Sequence, residues 1–468
     1  MRKYLSCMLL LTALLSQFSL AVKVEQETRL SETLAEIMAQ PTAIESLSSN
    51  DSIVTLFTIH GSNTVGEKLA PALVEAYLKA KGISNIRVQP LETENEKVVK
   101  GDFVSEGKTV QVKIAAHGSS TGYKSLVNGE ADIWASSRPA KSKEVTSAAE
   151  FADLTSSDAE HILGIDGLAI VVNPGNSIDR LSKAQLGRIF AGEISNWQEV
   201  GGADQPIRLF ARDENSGTWD SFKNMVLGKQ YALSTDALRF ESSEQLVNNV
   251  VREAGGIGFI GMAFVANSKL IAISDGPAQA FKPSDMTVAT EDYALSRRLF
   301  FYTDDQPKNK YVDDFMAFAQ GINGQKIVKK EGFVSQNVMA MNMALPKDLP
   351  LDYLDMVRGA ERLSINFRFQ EGSAKLDNKA LKDIQRLAYF LKKEAKGKRV
   401  MLIGFGDKRK NDQRSKLLSK LRAMAVRREL ARLGIHPEAT TGYGDFNPVA
   451  SFEGASRVKN RRVEVWVR

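Results

Sequence analysis

With 43% apolar and 25% charged side chains over 468 residues, the chain has enough apolar mass for ordinary buried cores, and its length suggests two to four domains. One cysteine, Cys7, and four histidines argue against a disulfide scaffold, a cysteine metal site or a histidine-built centre, so no metal and no cofactor is expected. Charge is split along the chain: from Glu361 onward 26 Lys and Arg face 12 Asp and Glu, net +14, whereas residues 22–360 hold 34 against 44, net −10.

The first residues are expected to be a signal peptide over 1–21. Arg2 and Lys3, the apolar run from Met8 to Leu15 and the small-residue end Ser19-Leu20-Ala21 follow in the order a leader requires, with cleavage after Ala21. Cys7 precedes most of that apolar run, the wrong place for a lipid-attachment cysteine, and the mature chain then has no thiol. An exported product turns the basic tail away from nucleic acid and towards an anionic polymer of the envelope. No later apolar stretch is long enough to span a bilayer.

Residues 22–51 are polar apart from an amphipathic stretch, Leu30 to Met38, and read as a short helix plus tether. Ile53 to Ile59 is a buried-strand pattern that ends in His60-Gly61-Ser62-Asn63-Thr64-Val65-Gly66, and Leu69, Leu73 and Tyr77 then recur at spacing four, a helix with one core-facing stripe. The same grammar returns at Val110 to Ala116, followed by His117-Gly118-Ser119-Ser120-Thr121-Gly122 and a helix from Tyr123. Here His117, with no partner cluster, reads as structural. Ala131 to Ala135 is a short strand ending in Ser136-Ser137-Arg138-Pro139. Leu168 to Val172 and a helix over Lys183 to Phe190 come next. Pro206 to Phe210 then leads through Arg212 and Asp213 into Asn215-Ser216-Gly217-Thr218 and a helix start. Ser-Gly-Thr before a helix is on its own a common N-cap; four polar turns at strand ends are more than capping needs, and in open α/β sheets such loops converge on one ligand. Gly255 to Ile260 and Lys269 to Ile273 read as the return path between two lobes, which gives a hinge and a cleft. Leu299 to Tyr302 and a helix near Tyr311 to Gln320 close the first lobe near Val334.

Residues 52–336 resemble the PstS-like, phosphate-binding branch of periplasmic solute-binding proteins. The resemblance rests on IHGSNTV, AHGSSTGY, ADIWASSRP, GIDGLAIVVNP, LGRIFAGEISNW, ARDENSGTW and YALSRRLFFY in that order. It implies an α/β, two-lobed fold of the type 2 periplasmic-binding kind, with inorganic phosphate or a related oxyanion held in the cleft by neutral donors and one arginine. Carried over by position, the donors are Thr64 and Val65 (backbone), Ser120, Ser216, Gly217 (backbone) and Thr218, with Arg212 as the cation; Ser62, Ser137 and Arg138 lie in the same turns. Where the family places an Asp that accepts the proton of hydrogen phosphate, this chain has Ser137, which predicts looser phosphate-over-sulfate discrimination. Asp132 and Asp213 are the nearby carboxylates that could substitute.

After a linker over 337–362 containing Pro346 and Pro350, a βαβαβ unit is expected over 363–468: the alternating strand Ile365 to Phe369, a helix with Leu381, Ile384, Leu387 and Leu391, the strand into Phe405-Gly406-Asp407, a long basic helix, and a closing strand Arg461 to Val467. INFRFQEGSAKL, IGFGD, LLSKLRAMAV, GYGDFNP and NRRVEVWV resemble the OmpA C-terminal-like, peptidoglycan-binding domain. That family clamps the amino acid end of a diaminopimelate stem between an Asp and an Arg, here Asp407 and Arg422, fifteen residues apart. Two supporting positions depart from the family: Phe405-Gly406 replaces His-Thr, and Ser415 replaces Asn. Together the resemblances imply a periplasmic, wall-associated oxyanion receptor with no chemical step, and an inner-membrane ABC permease as a further partner. The rival expectation is an envelope adaptor whose lobes bind another protein. An enzyme on phosphate esters would need metal-ligand or nucleophile–base pairs that the motifs do not supply.

Overall fold

The computed structural model describes residues 21–47, 49, 51–214, 216–343, 345, 349–369, 375–408 and 411–468. Apart from Ala21, the expected leader lies outside these residues, as do Asn215 and Pro346.

A first helix, α1, spans 21–38. The first lobe then takes β1 (Ile53–Gly61), a π-helical turn over Val65–Leu69, α2 (Ala70–Ala80), β2 (Ser84–Pro90), β3 (Glu96–Phe103), β4 (Lys108–Ala115), α3 (Ser119–Val127), β5 (Ile133–Ser136) and α4 (Ser142–Ala148). Strand β1 pairs in parallel with β4 and β5, which puts the polar turns after all three strands at one end of the lobe. The spacing-four stripe behaves as its period requires: Leu69, Leu73 and Tyr77 are fully buried, and Tyr77 packs edge-on against Phe315.

The thirteen-residue β6 (Glu160–Val172) carries the chain out of this lobe. The second lobe follows with β7 (Arg180–Ser182), α5 (Lys183–Phe190), β8 (Arg208–Arg212), α6 (Gly217–Phe222), β9 (Leu238–Phe240), α7 (Ser243–Arg252), β10 (Gly256–Gly261), β11 (Lys269–Leu270), β12 (Ala272–Ser274) and α8 (Asp285–Ala289). The chain returns through β13 (Ser296–Tyr302), and α9 (Lys310–Gln320) and α10 (Ile322–Lys330) complete the first lobe. One curled sheet serves both lobes, in the order β2-β3-β4-β1-β5-β13-β6-β10-β8-β9, with β11 also on β6. Strand β6 is the shared member: its residues 160–167 pair with β13 and 168–172 with β10. The return path thus differs from the expected Gly255 to Ile273. An apolar, fully buried run such as β10 looks the same in sequence whether it crosses between lobes or stays in one.

The tail is built from β14 (Ala340–Met341), α11 (Leu351–Val357), β15 (Glu361–Arg368), α12 (Asn378–Tyr389), β16 (Val400–Gly404), α13 (Asp412–Arg432), β17 (Ala439–Gly442) and β18 (Arg462–Val467), with sheet order β14-β15-β18-β16-β17. Strands β15 and β18 are buried on both faces. Helices α12 and α13 cover one face, and Tyr353 and Val357 of α11 pack with Phe405 and Trp466 on the other. Much of the segment expected as linker is therefore structured: β14 pairs with β15, and α11 sits on the tail's sheet.

Buried charge joins the tail to the lobes. Residues Thr290 to Asp292, between α8 and β13, enter a basic floor: Arg362 Nη2 donates to Asp292 Oδ2 (2.7 Å), Asn366 Nδ2 to Asp292 Oδ1 (2.8 Å), and Arg368 Nη2 to the Thr290 carbonyl (2.8 Å). Arg298 of β13 completes the seat, with Nε on Glu291 Oε1 (2.5 Å) and Nη1 on Asp377 Oδ2 (2.8 Å). On the first-lobe side, Arg386 Nη1 donates to Gln336 Oε1 (3.2 Å), and Asn378 reaches the Thr155 carbonyl (3.0 Å). The tail thereby sits behind the hinge and touches both lobes. Helix α1, expected as part of a tether, lies on the tail as well: Gln26 Nε2 donates to the Ala431 carbonyl, and Lys382 and Gln385 both donate to Glu36.

Candidate functional site

Where β6 and β13 cross between the lobes, a cleft of about 300 Å³ opens. Its walls include Thr64 from the turn after β1, Asp166 from β6, and Arg212, Ser216, Gly217 and Thr218 from the β8–α6 turn. Thr64 already has helical backbone angles, φ −56° and ψ −40°. Ser216 caps α6 with its Oγ, which accepts from the Thr218 amide at 3.2 Å. The turns of the two lobes meet closely: a Cβ placed on Gly217 would lie 1.8 Å from Thr64 Oγ1 and 2.7 Å from the Thr64 amide nitrogen. Only a glycine lets the turns approach that closely.

Beneath that contact lies Arg297 of β13, directly across the ladder from Asp166. Its Nε donates to Asp166 Oδ2 (3.0 Å), and its Nη2 donates both to Thr64 Oγ1 (2.9 Å) and to the Gly217 carbonyl (3.1 Å). One guanidinium therefore ties the hinge carboxylate to a turn of each lobe. Both side chains are largely withdrawn from solvent, at 10% and 14% exposure. Because Thr64 Oγ1 accepts from Arg297, its single hydroxyl proton is left to point elsewhere. Arg297 and Asp166 were not among the residues expected from the sequence. The signal was present, since each is a charge set inside an apolar hinge strand, in the runs GIDGLAIVVNP and YALSRRLFFY.

Arg212 lines the same cleft, with its donors turned to its own lobe. Nε reaches the Phe240 carbonyl (3.2 Å), Nη1 Ser243 Oγ (2.6 Å) and Nη2 the Glu241 carbonyl (2.6 Å). Burial pushes its pKa down, partly offset by Asp213, Glu67 and Glu241.

Five of the expected residues lie elsewhere in the first lobe and are not among those that line the cleft. Ser62 is buried, and its amide is held by the Ala135 carbonyl. Val65 is fully buried in the π turn. Arg138 makes a two-point pair with Glu144 (2.7 Å each) and also donates to Ser120 Oγ (3.1 Å). Ser137 takes Ser119 Oγ as the acceptor for its amide (3.2 Å). The carboxylates considered as substitutes are engaged too: Asp132 accepts from Thr58 twice, and Asp213 stands 3.9 Å from Arg212.

In the tail, Asp407 follows β16 and Arg422 lies on α13. A Cβ on Gly406 would come within 3.1 Å of Arg422 Nη1, so the guanidinium stands beside the backbone that carries Asp407. Arg422 also stacks over Phe369, 5.8 Å from the ring centre. Arg461 Nε donates to Asp407 Oδ2, while Asp407 Oδ1 is buried without a hydrogen-bond partner. Ser415 Oγ donates to the Asp407 carbonyl at 3.1 Å. Arg461, which stands in NRRVEVWV, is the part of this group that the sequence reading passed over.

Comparison with known proteins matches residues 95–321 to a PBP superfamily domain and residues 368–462 to the OmpA family. Protein SphX of Synechococcus elongatus is 30% identical over 252 residues, covering 50% of this chain and 72% of that protein. The phosphate-binding protein PstS of Borreliella burgdorferi is 27% identical over 230 residues, covering 48% of this chain and 79% of that one. Among solved structures, an ABC-type phosphate transport receptor from Vibrio cholerae aligns at 27% identity over 59% of this chain and 99% of its own, with a TM-score of 0.46. The chain belongs to the PstS-like branch of the PBP superfamily and carries an OmpA family domain at its C-terminal end.

Proposed function

We propose that this chain is an exported receptor that closes its two lobes on inorganic phosphate and is held to peptidoglycan by its tail. The observation that carries the reading is Arg297, whose one guanidinium reaches Thr64 on the first lobe, Gly217 on the second and Asp166 on the hinge. An oxyanion entering there would meet a cation in a water-poor site, the free hydroxyl proton of Thr64, and the donors of Ser216, Gly217 and Thr218. Acids also line the cleft, Glu67, Glu241, Glu244 and Glu331 among them, so oriented local donors must hold the anion against the module's own net charge. Asp166 supplies a carboxylate acceptor inside the cleft, which Ser137 does not. An acceptor-only group favours hydrogen phosphate over sulfate, because an unprotonated oxyanion would face its lone pairs.

In the tail, the buried free oxygen of Asp407 is an acceptor waiting for a cationic partner, and Arg422 beside it suits a carboxylate. That is the chemistry of the amino acid end of a diaminopimelate stem. The reading involves no chemical step and no cofactor. Delivery to an inner-membrane ABC permease is the transport role that accompanies it. Calorimetric titration with phosphate, together with pelleting on isolated wall sacculi, tests the two halves separately. Absence of phosphate heat removes the first half, and a soluble Asp407→Ala and wild type that pellet alike remove the second.

A further inference from the structure

Helix α13 turns an unusual face outward. Its inner side carries Ser415, Ser419, Ala423, Val426 and Leu430. Opposite them, at about 100° per residue, runs a line of Leu417, Leu421 and Met424, exposed to 57%, 45% and 47%. A helix on a protein surface normally places its charges there. Here three apolar residues hold that side, with Arg414 on one flank, Lys416, Lys420 and Arg427 on the other, and Arg428 in line beyond Met424, all exposed. The helix has two acids, Asp412 in its first turn and Glu429, and Glu429 is paired with Arg432 at 2.6 Å. Neither lies in the stripe.

An apolar line rimmed by long cations suits the boundary between lipid headgroups and acyl chains. The apolar tips enter it, and the cationic heads stay with the phosphates at the surface. We propose that α13 docks the chain peripherally on an anionic lipid surface. Among the described residues no helix is long and apolar enough to cross a membrane, so the contact would lie along the surface. Charge complementarity favours this occupant over a second copy of the chain, since a symmetric pairing would set the cations of one copy against those of the other. Arg422 is outside the stripe, so the site is distinct from the proposed wall clamp.

The test is co-sedimentation of the full chain with phosphatidylcholine vesicles, with and without phosphatidylglycerol. The expected result is binding only to the phosphatidylglycerol vesicles, weakened by added salt, and reduced roughly tenfold or more by L417Q/L421Q/M424Q. A second variant, K416Q/K420Q/R427Q, is expected to lose binding equally, so the proposal does not depend on either variant alone. All six positions are exposed, and unchanged melting curves check that both variants fold. Failure of the wild type to bind, equal binding to neutral vesicles, or binding untouched in both variants would overturn the proposal. So would a dimer that the apolar variant converts to monomer, which would assign the face to a second copy.

Discussion

Gly217 and Asp166 set the sharpest expectations at the scale of single residues. Gly217→Ala puts a methyl group 1.8 Å from Thr64 Oγ1, where the lobes meet and not inside either core. The lobes should fold as before but fail to close. Phosphate affinity is expected to fall by roughly a hundredfold, about 2.7 kcal/mol, with the melting temperature of the ligand-free protein within a few degrees of wild type. A matching loss of stability would show that the contact belongs to the fold instead. Asp166→Asn replaces an acceptor-only group by one that also donates. The expected outcome is weaker phosphate binding and stronger sulfate binding in competition titrations, a narrowing of the ratio by roughly tenfold or more. An unchanged ratio would remove Asp166 from the discrimination.

At the scale of elements, β13 does two jobs through adjacent residues of opposite facing. Arg297 turns into the cleft, whereas Arg298 turns towards the tail and pairs with Glu291 and Asp377. The sequence showed the polar turns and the strands that feed them, because period-two burial and Gly-Ser-Thr clusters are local signals. It did not show which turns meet. Thr64 and Gly217 are 153 residues apart in the sequence and touch only because β6 belongs to both lobes. Ser120, Ser137 and Arg138 stand at the strand ends their motifs suggested, yet Glu144, one turn into α4, occupies the guanidinium. A partner six residues along the chain cannot be told from a ligand by motif alone. The tail was more legible: of the expected helical stripe Ile384, Leu387 and Leu391 are buried, whereas Leu381 faces solvent at 44% exposure, and the Asp407 and Arg422 neighbourhood follows from β16 and α13 lying side by side. What went unread there was β17, whose four partly buried residues Ala439–Gly442 give little periodicity.

The whole molecule is held together at the seat behind the hinge. Asp292 and Arg362 are nearly buried, at 2% and 10% side-chain exposure, so removing Arg362 leaves the Asp292 carboxylate with Asn366 and the more distant Arg368 and Arg462. Arg362→Met is expected to cost roughly 3–5 kcal/mol in unfolding, read from denaturant melts, and more than Asp292→Asn combined with it. The same seat makes the assembly acid-sensitive. Burial alone would raise the carboxyls of Glu291 and Asp292, but Arg298 and Arg368 around the first, and Arg362 and Arg462 around the second, outweigh it and hold both below their ordinary values of 4.5 and 3.8. A carboxyl held low in the folded state lends stability that is complete above its unfolded value and is lost as pH falls through the lower folded one. Stability should therefore be flat in this respect above about pH 5 and fall steadily beneath about pH 4. A melting series from pH 7 to 2 in which Asp292→Asn keeps the full acid slope would remove Asp292 from that sensitivity. The seat fixes the tail against the residues just before β13, and β6 and β13 are the strands that join the lobes.

Titration calorimetry of phosphate into the full chain and into Arg297→Ala tests that arrangement most directly. Saturable one-to-one heat in the wild type, reduced roughly a thousandfold in affinity in the variant, about 4 kcal/mol, is the predicted result. Equal phosphate binding by both proteins would contradict it.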